Sequence, residues 1–199
     1  MDYILKNDRW QITKQLKRRL SKKRYIHSLS VAYTAAALAM VHDVNPEDAI
    51  MAGLLHDYAK NISHEEQLAY CDKHRIELSA YERRNPQIIH GKVGALMIMR
   101  RYHVRDENII NAIMNHTVGR MHMSPLEKII FIADYIEPER EPLPNIQAIR
   151  KAAFKNLDRT IYMILENTRR YLVEKGGTPD ESTEAVLNYY KEEAEHADK

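Results

Sequence analysis

The sequence is poor in cysteine and in long apolar stretches, and these two absences exclude several classes of protein. Cys71 is the only cysteine among 199 residues, so neither an intrachain disulfide nor a CxxC zinc motif is possible. No stretch approaches the roughly 20 consecutive apolar residues that span a bilayer. Residues 1–6 also lack the apolar run of a signal peptide. We therefore expect a cytoplasmic protein with no membrane partner.

A large net charge of one sign is also absent, since the formal net charge is +2. The charge is nevertheless uneven: residues 1–24 carry nine Lys/Arg and two acids, whereas residues 174–199 carry eight acids and three lysines. The basic end favours a solvated amphipathic helix over a nucleic-acid site, because no aromatic stacking pattern accompanies the charges. We expect no nucleic-acid partner. Met121, Met123 and Tyr189 are candidates for the face of a homodimer.

Helix signals recur along the chain, and strand signals are nearly absent. One apolar stripe at helical spacing consists of Val31, Ala35, Leu38 and Ala39. Capping boxes begin at Ser63, Ser124 and Thr178, and proline follows a cap at Asn45. Helices are predicted over about 8–20 (capped by Asp8), 22–42, 46–58, 90–102, 106–117 and 145–175, with others after the capping boxes. The proline-rich residues 137–144 predict a rigid loop. The expected fold is all-α, a single bundle of about eight helices.

The chemistry is concentrated in histidine and aspartate residues that face inward or lie at helix ends. His56 and Asp57 follow an apolar helical stretch, and burial without a partner costs roughly 2–7 kcal/mol for a neutral polar group and more for a carboxylate. The sequence has ten histidines, and His27, His90 and His116, each taken alone, are explained by an ordinary structural role. The ordered set is more informative: His27, His56, Asp57, His90, His116 and Asp134. Imidazole and carboxylate ligands suit Fe, Mn, Zn, Co or Ni.

The order H…HD…H…H…D resembles that of the HD-domain metal-dependent phosphohydrolases. Two blocks narrow the resemblance, AGLLHDYAK over residues 52–60 and ADYIEPER over residues 133–140. Together they resemble the YqeK family, whose members are symmetrical diadenosine tetraphosphate hydrolases, and the similarity spans about residues 20–170. This resemblance implies an HD hydrolase domain over 21–175, with a basic helix over 1–20 packed on it and an acidic helix over 176–199.

The resemblance also implies one or two divalent metal ions, with iron expected first and Mn, Zn, Co or Ni as alternatives. Asp57 is the expected bridging ligand and catalytic residue, because one carboxylate offers an oxygen to each of two metals. His27, His56 and Asp134 are then expected to complete one metal site. The second site is expected to belong mainly to His90 and His116.

A polyphosphate substrate requires fixed cations beside the metals. Lys60, expected one helical turn from His56, and Arg140, on the loop after Pro138, are candidates for catalysis and for phosphate binding. The other expected substrate contacts are Arg24, Thr117, Gly119 and Tyr135. The expected reaction cleaves diadenosine tetraphosphate symmetrically into two ADP, with ADP or GDP as a product-like ligand.

Two alternative functions stay open. One is an HD-type nucleotidase or dNTP phosphohydrolase, against which the six-ligand pattern argues, since simpler nucleotidases of the superfamily need only H…HD…D. The other is a non-enzymatic nucleotide-binding or RNA-associated protein that uses the basic N-terminal helix. A salt-dependent interaction with RNA would support this second alternative.

Overall fold

The structure is a computed structural model that describes residues 9–141, 143–178 and 181–196. Within these ranges it contains eleven α-helices, one short 3₁₀ helix over Pro86–Ile88 and no strand. The helices are α1 Arg9–Arg19, α2 Lys22–Val41, α3 Pro46–Leu55, α4 His64–His74, α5 Ala80–Arg84, α6 His90–Tyr102, α7 Glu107–Asn115, α8 Pro125–Ile136, α9 Ile146–Ala153, α10 Leu157–Glu174 and α11 Glu181–His196. The all-α prediction is confirmed, with more and shorter helices than the eight expected.

Helices α2, α3, α7 and α8 form the centre of the bundle. Helix α2 packs on α3 and α8, α3 also packs on α7, and α7 lies between α6 and α8. The predicted stripe of α2 is the core-facing one, since Val31, Ala35, Leu38 and Ala39 are all fully buried. On the other side, α9 and α10 pack on α8, and α11 packs on α10. This arrangement brings the ends of several helices to one place.

The two terminal helices of the described chain also contribute to the core. Ile12, Leu16 and Leu20 in and beside α1 belong to the main buried cluster, as do Leu187 and Tyr190 of α11. Apolar contacts with the core therefore help to hold both of these charged helices on the bundle. No helix in the described part of the chain is long and apolar enough to cross a bilayer.

The predicted capping boxes at Ser63 and Ser124 are confirmed, because in both the serine hydroxyl and the later glutamate carboxylate accept backbone N–H groups. The box that begins at Thr178 includes Pro179 and Asp180, which lie outside the described residues, as does the cap Asp8.

Two helix boundaries differ from the predictions. The predicted single helix over 145–175 is wrong, because the chain leaves the helix after Ala153 and restarts at Leu157. Asn156 causes the restart: its extended backbone and its side chain, which accepts the N–H of Arg159, make it an N-cap. The helix predicted to reach Tyr58 ends at Leu55, and residues 56–61 continue as consecutive turns.

Candidate metal centre

Six side chains predicted as ligands meet where the ends of α3, α6, α7 and α8 approach α2. His27 lies in α2, and the remaining five lie at or next to helix ends: His56 and Asp57 after α3, His90 at the start of α6, His116 after α7 and Asp134 in the last turn of α8. Five of the six residues are almost fully buried. Asp134 is the most accessible, with 21% of its side chain exposed. Buried imidazoles and carboxylates of this kind require hydrogen-bond partners or opposite charges inside the protein.

Asp57 lies between two groups of ligands, and each of its oxygens faces one group. Oδ2 lies 3.5 Å from Nε2 of His27 and 3.3 Å from Nε2 of His56. Oδ1 lies 3.2 Å from Nε2 of His90 and 3.8 Å from Nε2 of His116. Each oxygen of Asp57 therefore lies beside a different pair of histidines.

Asp134 completes the first of these two groups. Its Oδ1 lies 3.0 Å from Nε2 of His27 and 3.8 Å from Nε2 of His56. The donor atoms of His27, His56 and Asp134 all lie within 4.8 Å of one another, as do those of His56, Asp57 and His116. His56 therefore adjoins both groups.

The outer hydrogen bonds of three of the four imidazoles, and a carboxylate beside Nδ1 of His27, leave the inward-facing Nε2 atoms with lone pairs for a metal. Nδ1 of His56, His90 and His116 lies 2.7–3.0 Å from the carbonyl oxygen three residues earlier in each case. A carbonyl oxygen only accepts, so each Nδ1 carries the hydrogen, and in the neutral ring Nε2 keeps its lone pair. Metal-binding histidines are held by the same kind of outer hydrogen bond.

These lone pairs face one another at close range. The Nε2 atoms of His27 and His56 are 3.3 Å apart, and those of His90 and His116 are 3.1 Å apart. Two neutral nitrogens that both present lone pairs repel, and a cation between them turns the repulsion into coordination. The side chains present therefore fit a divalent metal centre with nitrogen and oxygen ligands.

The two groups differ in their electrostatics. Burial alone lowers the pKa of His27, but Asp134, which carries a negative charge and can accept a hydrogen bond from the protonated ring, outweighs it and raises that pKa above its usual value. Burial lowers the pKa of His90 to about 4, although Asp57 favours the protonated ring and so acts in the opposite direction. Positive charge is therefore favoured more strongly beside His27 and Asp134 than beside His90.

A family model described as the HD domain matches residues 24–139, more than half of the chain and all six of these side chains. The chain belongs to the HD-domain family. It is 39% identical over 178 residues to the symmetrical bis(5′-nucleosyl)-tetraphosphatase of Staphylococcus aureus, covering 87% of this chain and 90% of that protein. It is 36% identical over 160 residues to the protein of the same name from Bacillus subtilis, covering 80% and 85%.

A solved structure agrees with this assignment. The HD-domain fold described above matches the crystal structure of a predicted HD superfamily hydrolase involved in NAD metabolism from Clostridium acetobutylicum. The TM-score is 0.88 at 39% sequence identity, covering 92% of this chain and 96% of that chain. The resemblance to the YqeK type of HD-domain protein is confirmed by these relatives, and dependence on a divalent metal follows from membership of the family.

Three cations predicted to bind phosphate lie at the edge of this HD-domain centre. The guanidinium of Arg24 donates to Oδ2 of Asp57. Arg140 donates from Nη2 to Oδ1 of Asp134 at 3.0 Å and from Nε to the backbone oxygen of the same residue at 2.8 Å. Nζ of Lys60 lies 3.5 Å from Nε2 of His90, and burial lowers the pKa of Lys60.

The other three predicted substrate contacts are Thr117, Gly119 and Tyr135, and each lies in different surroundings. The hydroxyl of Thr117 is buried without a hydrogen-bond partner, close to Gly91. Gly119 has a φ of +69° and already donates its N–H to the carbonyl of Asn115 at 2.8 Å. Tyr135 is partly buried against the core, and its hydroxyl accepts from Asn167 at 3.4 Å.

Sequence reasoning missed Glu137 as a member of the site. Its carboxylate Oε1 accepts a hydrogen bond from Nδ1 of His27 at 2.9 Å, and the residue is 1% exposed. An acid in a proline-rich loop carries no sequence signal of burial. Two signals were available: its place in the block ADYIEPER over residues 133–140, and its spacing of three residues from Asp134, which places both acids at one end of α8.

Proposed function

We propose that this HD-domain protein is a symmetrical bis(5′-nucleosyl)-tetraphosphatase that hydrolyses diadenosine tetraphosphate to two ADP. The observation that supports the proposal is a six-ligand centre around Asp57 in a chain that matches proteins of that name along nearly its whole length. A hydrolase that cleaves in the middle of a four-phosphate bridge must bind negative charge on both sides of the scissile bond. The cations beside the centre, Arg24, Lys60 and Arg140, are assigned to that task.

We propose that the centre binds two divalent ions, with iron as the first candidate. His27, His56 and Asp134 would hold one ion, His90 and His116 would hold the other, and Asp57 would contribute to both. The mixed imidazole and carboxylate donor set, without a thiolate, suits iron and also Mn, Zn, Co and Ni. A divalent ion bound by these residues would screen phosphate charge and would make a bound water more acidic.

The protein's own cations are assigned to the phosphate chain. Arg24 and Arg140 are 30% and 38% exposed at their side chains, whereas Asp57 is 3% exposed, so the cations mark the side of the centre that is open to solvent. Polyphosphate arriving from that side meets guanidinium groups suited to bidentate phosphate contacts. Lys60 adds a partly desolvated ammonium beside His90. These three side chains orient the substrate and neutralise the charge of the departing ADP.

The direct experiment incubates the metal-loaded protein with diadenosine tetraphosphate and separates the products by chromatography. We expect ADP alone. AMP with ATP, or no turnover, would contradict the proposal. The same assay with nucleoside monophosphates and dNTPs tests the HD-type nucleotidase alternative, and we expect these to be poor substrates. ADP is expected to inhibit as the product.

The phosphate role of Lys60 is tested with Lys60→Gln. Loss of one charged hydrogen bond to substrate, about 1.5–3 kcal/mol, corresponds to a roughly 10- to 100-fold lower kcat/KM. The metal content should stay that of the wild type, because Lys60 is not assigned as a ligand. Lys151→Gln, an exposed change on α9, is the matched control and should leave kcat/KM unchanged.

A further inference from the structure

His27 differs from the other three imidazoles in how its outer nitrogen is held. His56 and His116 follow the last residues of α3 and α7, where backbone carbonyls have no partner within the helix and can accept Nδ1–H. His27 lies inside α2, which runs from Lys22 to Val41, so the carbonyls behind it are used by the helix itself. Its Nδ1 needs an acceptor from another part of the chain.

Glu137 provides that acceptor from a fixed position. It lies directly after α8, and its backbone N–H donates to the carbonyl of Ala133 at 3.0 Å. Its own carbonyl accepts from Nη2 of Arg150 at 3.0 Å. The two carboxylate oxygens are both used: Oε1 faces Nδ1 of His27 at 2.9 Å, and Oε2 accepts the backbone N–H of Glu139 at 2.6 Å.

This pattern specifies a carboxylate rather than any polar side chain of the same size. Both partners of Glu137 are N–H donors, and a carboxylate offers an acceptor to each. An amide of identical shape offers one acceptor and one NH₂ group. In either orientation, the amide would therefore place an N–H donor against His27 or against Glu139.

We propose that Glu137 is a positioning residue, which aims Nε2 of His27 at the metal and connects that ligand to the segment that leads to Arg140. The connection is direct, since the hydrogen bond to the N–H of Glu139 sets the path of the chain just before Arg140, whose guanidinium reaches Asp134. The proposal rests on the metal centre of the proposed function but not on its substrate. One carboxylate thereby aligns a metal ligand and a phosphate-binding side chain.

The test measures metal binding without substrate. Wild type and Glu137→Gln are stripped of metal and titrated with Co²⁺ in competition with a chelator, while the visible absorption of bound Co²⁺ is recorded. A change of the outer partner of a metal-binding histidine weakens binding about 10- to 100-fold, and we expect this loss for one of the ions together with an altered Co²⁺ spectrum. Glu139→Gln is the matched control, since its exposed side chain lies in the same segment. It should bind Co²⁺ as the wild type does.

A double-mutant comparison separates positioning from a general structural role. If Glu137 acts through His27, Glu137→Gln should weaken Co²⁺ binding no further in a His27→Ala background. An equal loss in both backgrounds, or wild-type affinity and spectrum in folded Glu137→Gln, would overturn the proposal. Glu137→Asp keeps the charge but withdraws the carboxylate from Nδ1. It serves as the second variant if the amide variant does not fold, and the same loss is expected.

The outcome is independent of the substrate assignment. Wild-type protein that binds Co²⁺ and loses affinity through Glu137→Gln, yet does not cleave diadenosine tetraphosphate, would support the role of Glu137 and refute the tetraphosphatase. Production of ADP by the wild type, combined with unaltered Co²⁺ binding by Glu137→Gln, would support the tetraphosphatase and overturn the role of Glu137.

Discussion

Asp57 is the side chain on which both halves of the centre depend. Its two oxygens face different histidine groups, and burial opposes its charge while the surrounding imidazoles hold its pKa well below the usual value. Asp57 therefore contacts both histidine groups, one through each carboxylate oxygen. His90, in contrast, contacts only one of the two oxygens.

This difference predicts distinct metal contents for two variants. Asp57→Asn keeps the volume but removes the shared charge, so we expect loss of nearly all bound metal and of hydrolysis. On the proposed two-ion centre, His90→Ala should lose the ion beside Oδ1 and retain the one beside His27, giving about one ion per chain where about two are expected for the wild type. Elemental analysis of the purified proteins measures both. An Asp57→Asn protein with the metal content and activity of the wild type would refute the bridging assignment.

The order of histidines and aspartates along the sequence indicated the candidate metal ligands. It did not indicate Glu137, which accepts the hydrogen bond of His27. His27 and Glu137 are 110 positions apart, and their hydrogen bond depends on how α2 packs on α8. Arg24 was expected to face phosphate, and the structure adds its contact with Asp57. Spacing along one helix cannot predict contacts of this kind, because they join different helices.

Helices α2 and α3 are in close backbone contact at Gly53. A Cβ at this position would lie 2.6 Å from Cα of Ala32, a backbone atom that cannot move aside without shifting the helix. Since α2 carries His27 and α3 ends just before His56, their separation determines the geometry of the centre.

Gly53→Ala is therefore expected to lower the free energy of unfolding by about 1–3 kcal/mol through overpacking, and to weaken metal binding as well. Chemical denaturation and Co²⁺ titration measure the two effects. Gly94→Ala is the matched control: its nearest contact would be an ordinary 3.6 Å, and alanine favours a helix interior over glycine by about 1 kcal/mol. Equal destabilisation by both substitutions would contradict the close-packing argument.

The turn between α7 and α8, which follows His116, is held by a buried glutamate. Glu127 accepts hydrogen bonds from Asn115, from the Arg120 guanidinium and from the backbone N–H of Ser124. Burial alone would raise the pKa of Glu127, but these hydrogen bonds, that of Arg120 above all, lower it below the usual value. A lowered pKa in the folded state means that the carboxylate stabilises the fold only while it is ionised.

Glu127→Gln should lower the free energy of unfolding at pH 7 by about 2–3 kcal/mol. The folded-state pKa lies below the unfolded value of about 4.3, so the stabilisation is complete above that value and is lost as the pH falls towards the folded-state pKa. Urea denaturation at several pH values should therefore show the difference from wild type narrowing below about pH 4. Exposed Glu65→Gln in α4 should show no such trend. A difference that stayed constant down to pH 3 would refute the assigned role.

The centre links most of the bundle, because its ligands come from α2, the turn after α3, α6, the end of α7, and α8. Asp57 and Asp134 come from different parts of the bundle, so only the folded chain brings the six side chains together. A metal that binds only the folded state stabilises it by mass action, by about 2.7 kcal/mol at an ion concentration 100 times the dissociation constant.

Removal of the metal with a chelator should therefore lower the Tm of the wild type, and returning the ion should restore it. Differential scanning calorimetry of the stripped and reloaded protein measures the shift. The Asp57→Asn protein is the control, since it should show the same Tm with and without chelator. A wild-type Tm that does not respond to metal would contradict a centre that joins these helices.

The amino-acid sequence by itself determined the all-α class, the core stripe of α2, the capping boxes and the side chains able to bind metal. These features depend on neighbours three or four positions apart, so they can be recognised locally. Only the tertiary structure decided which oxygen of Asp57 faces which histidines, that Glu137 holds His27, and that Arg24 and Arg140 contact the two carboxylates. The physical reason is that these distances depend on the packing between helices, which no local spacing encodes.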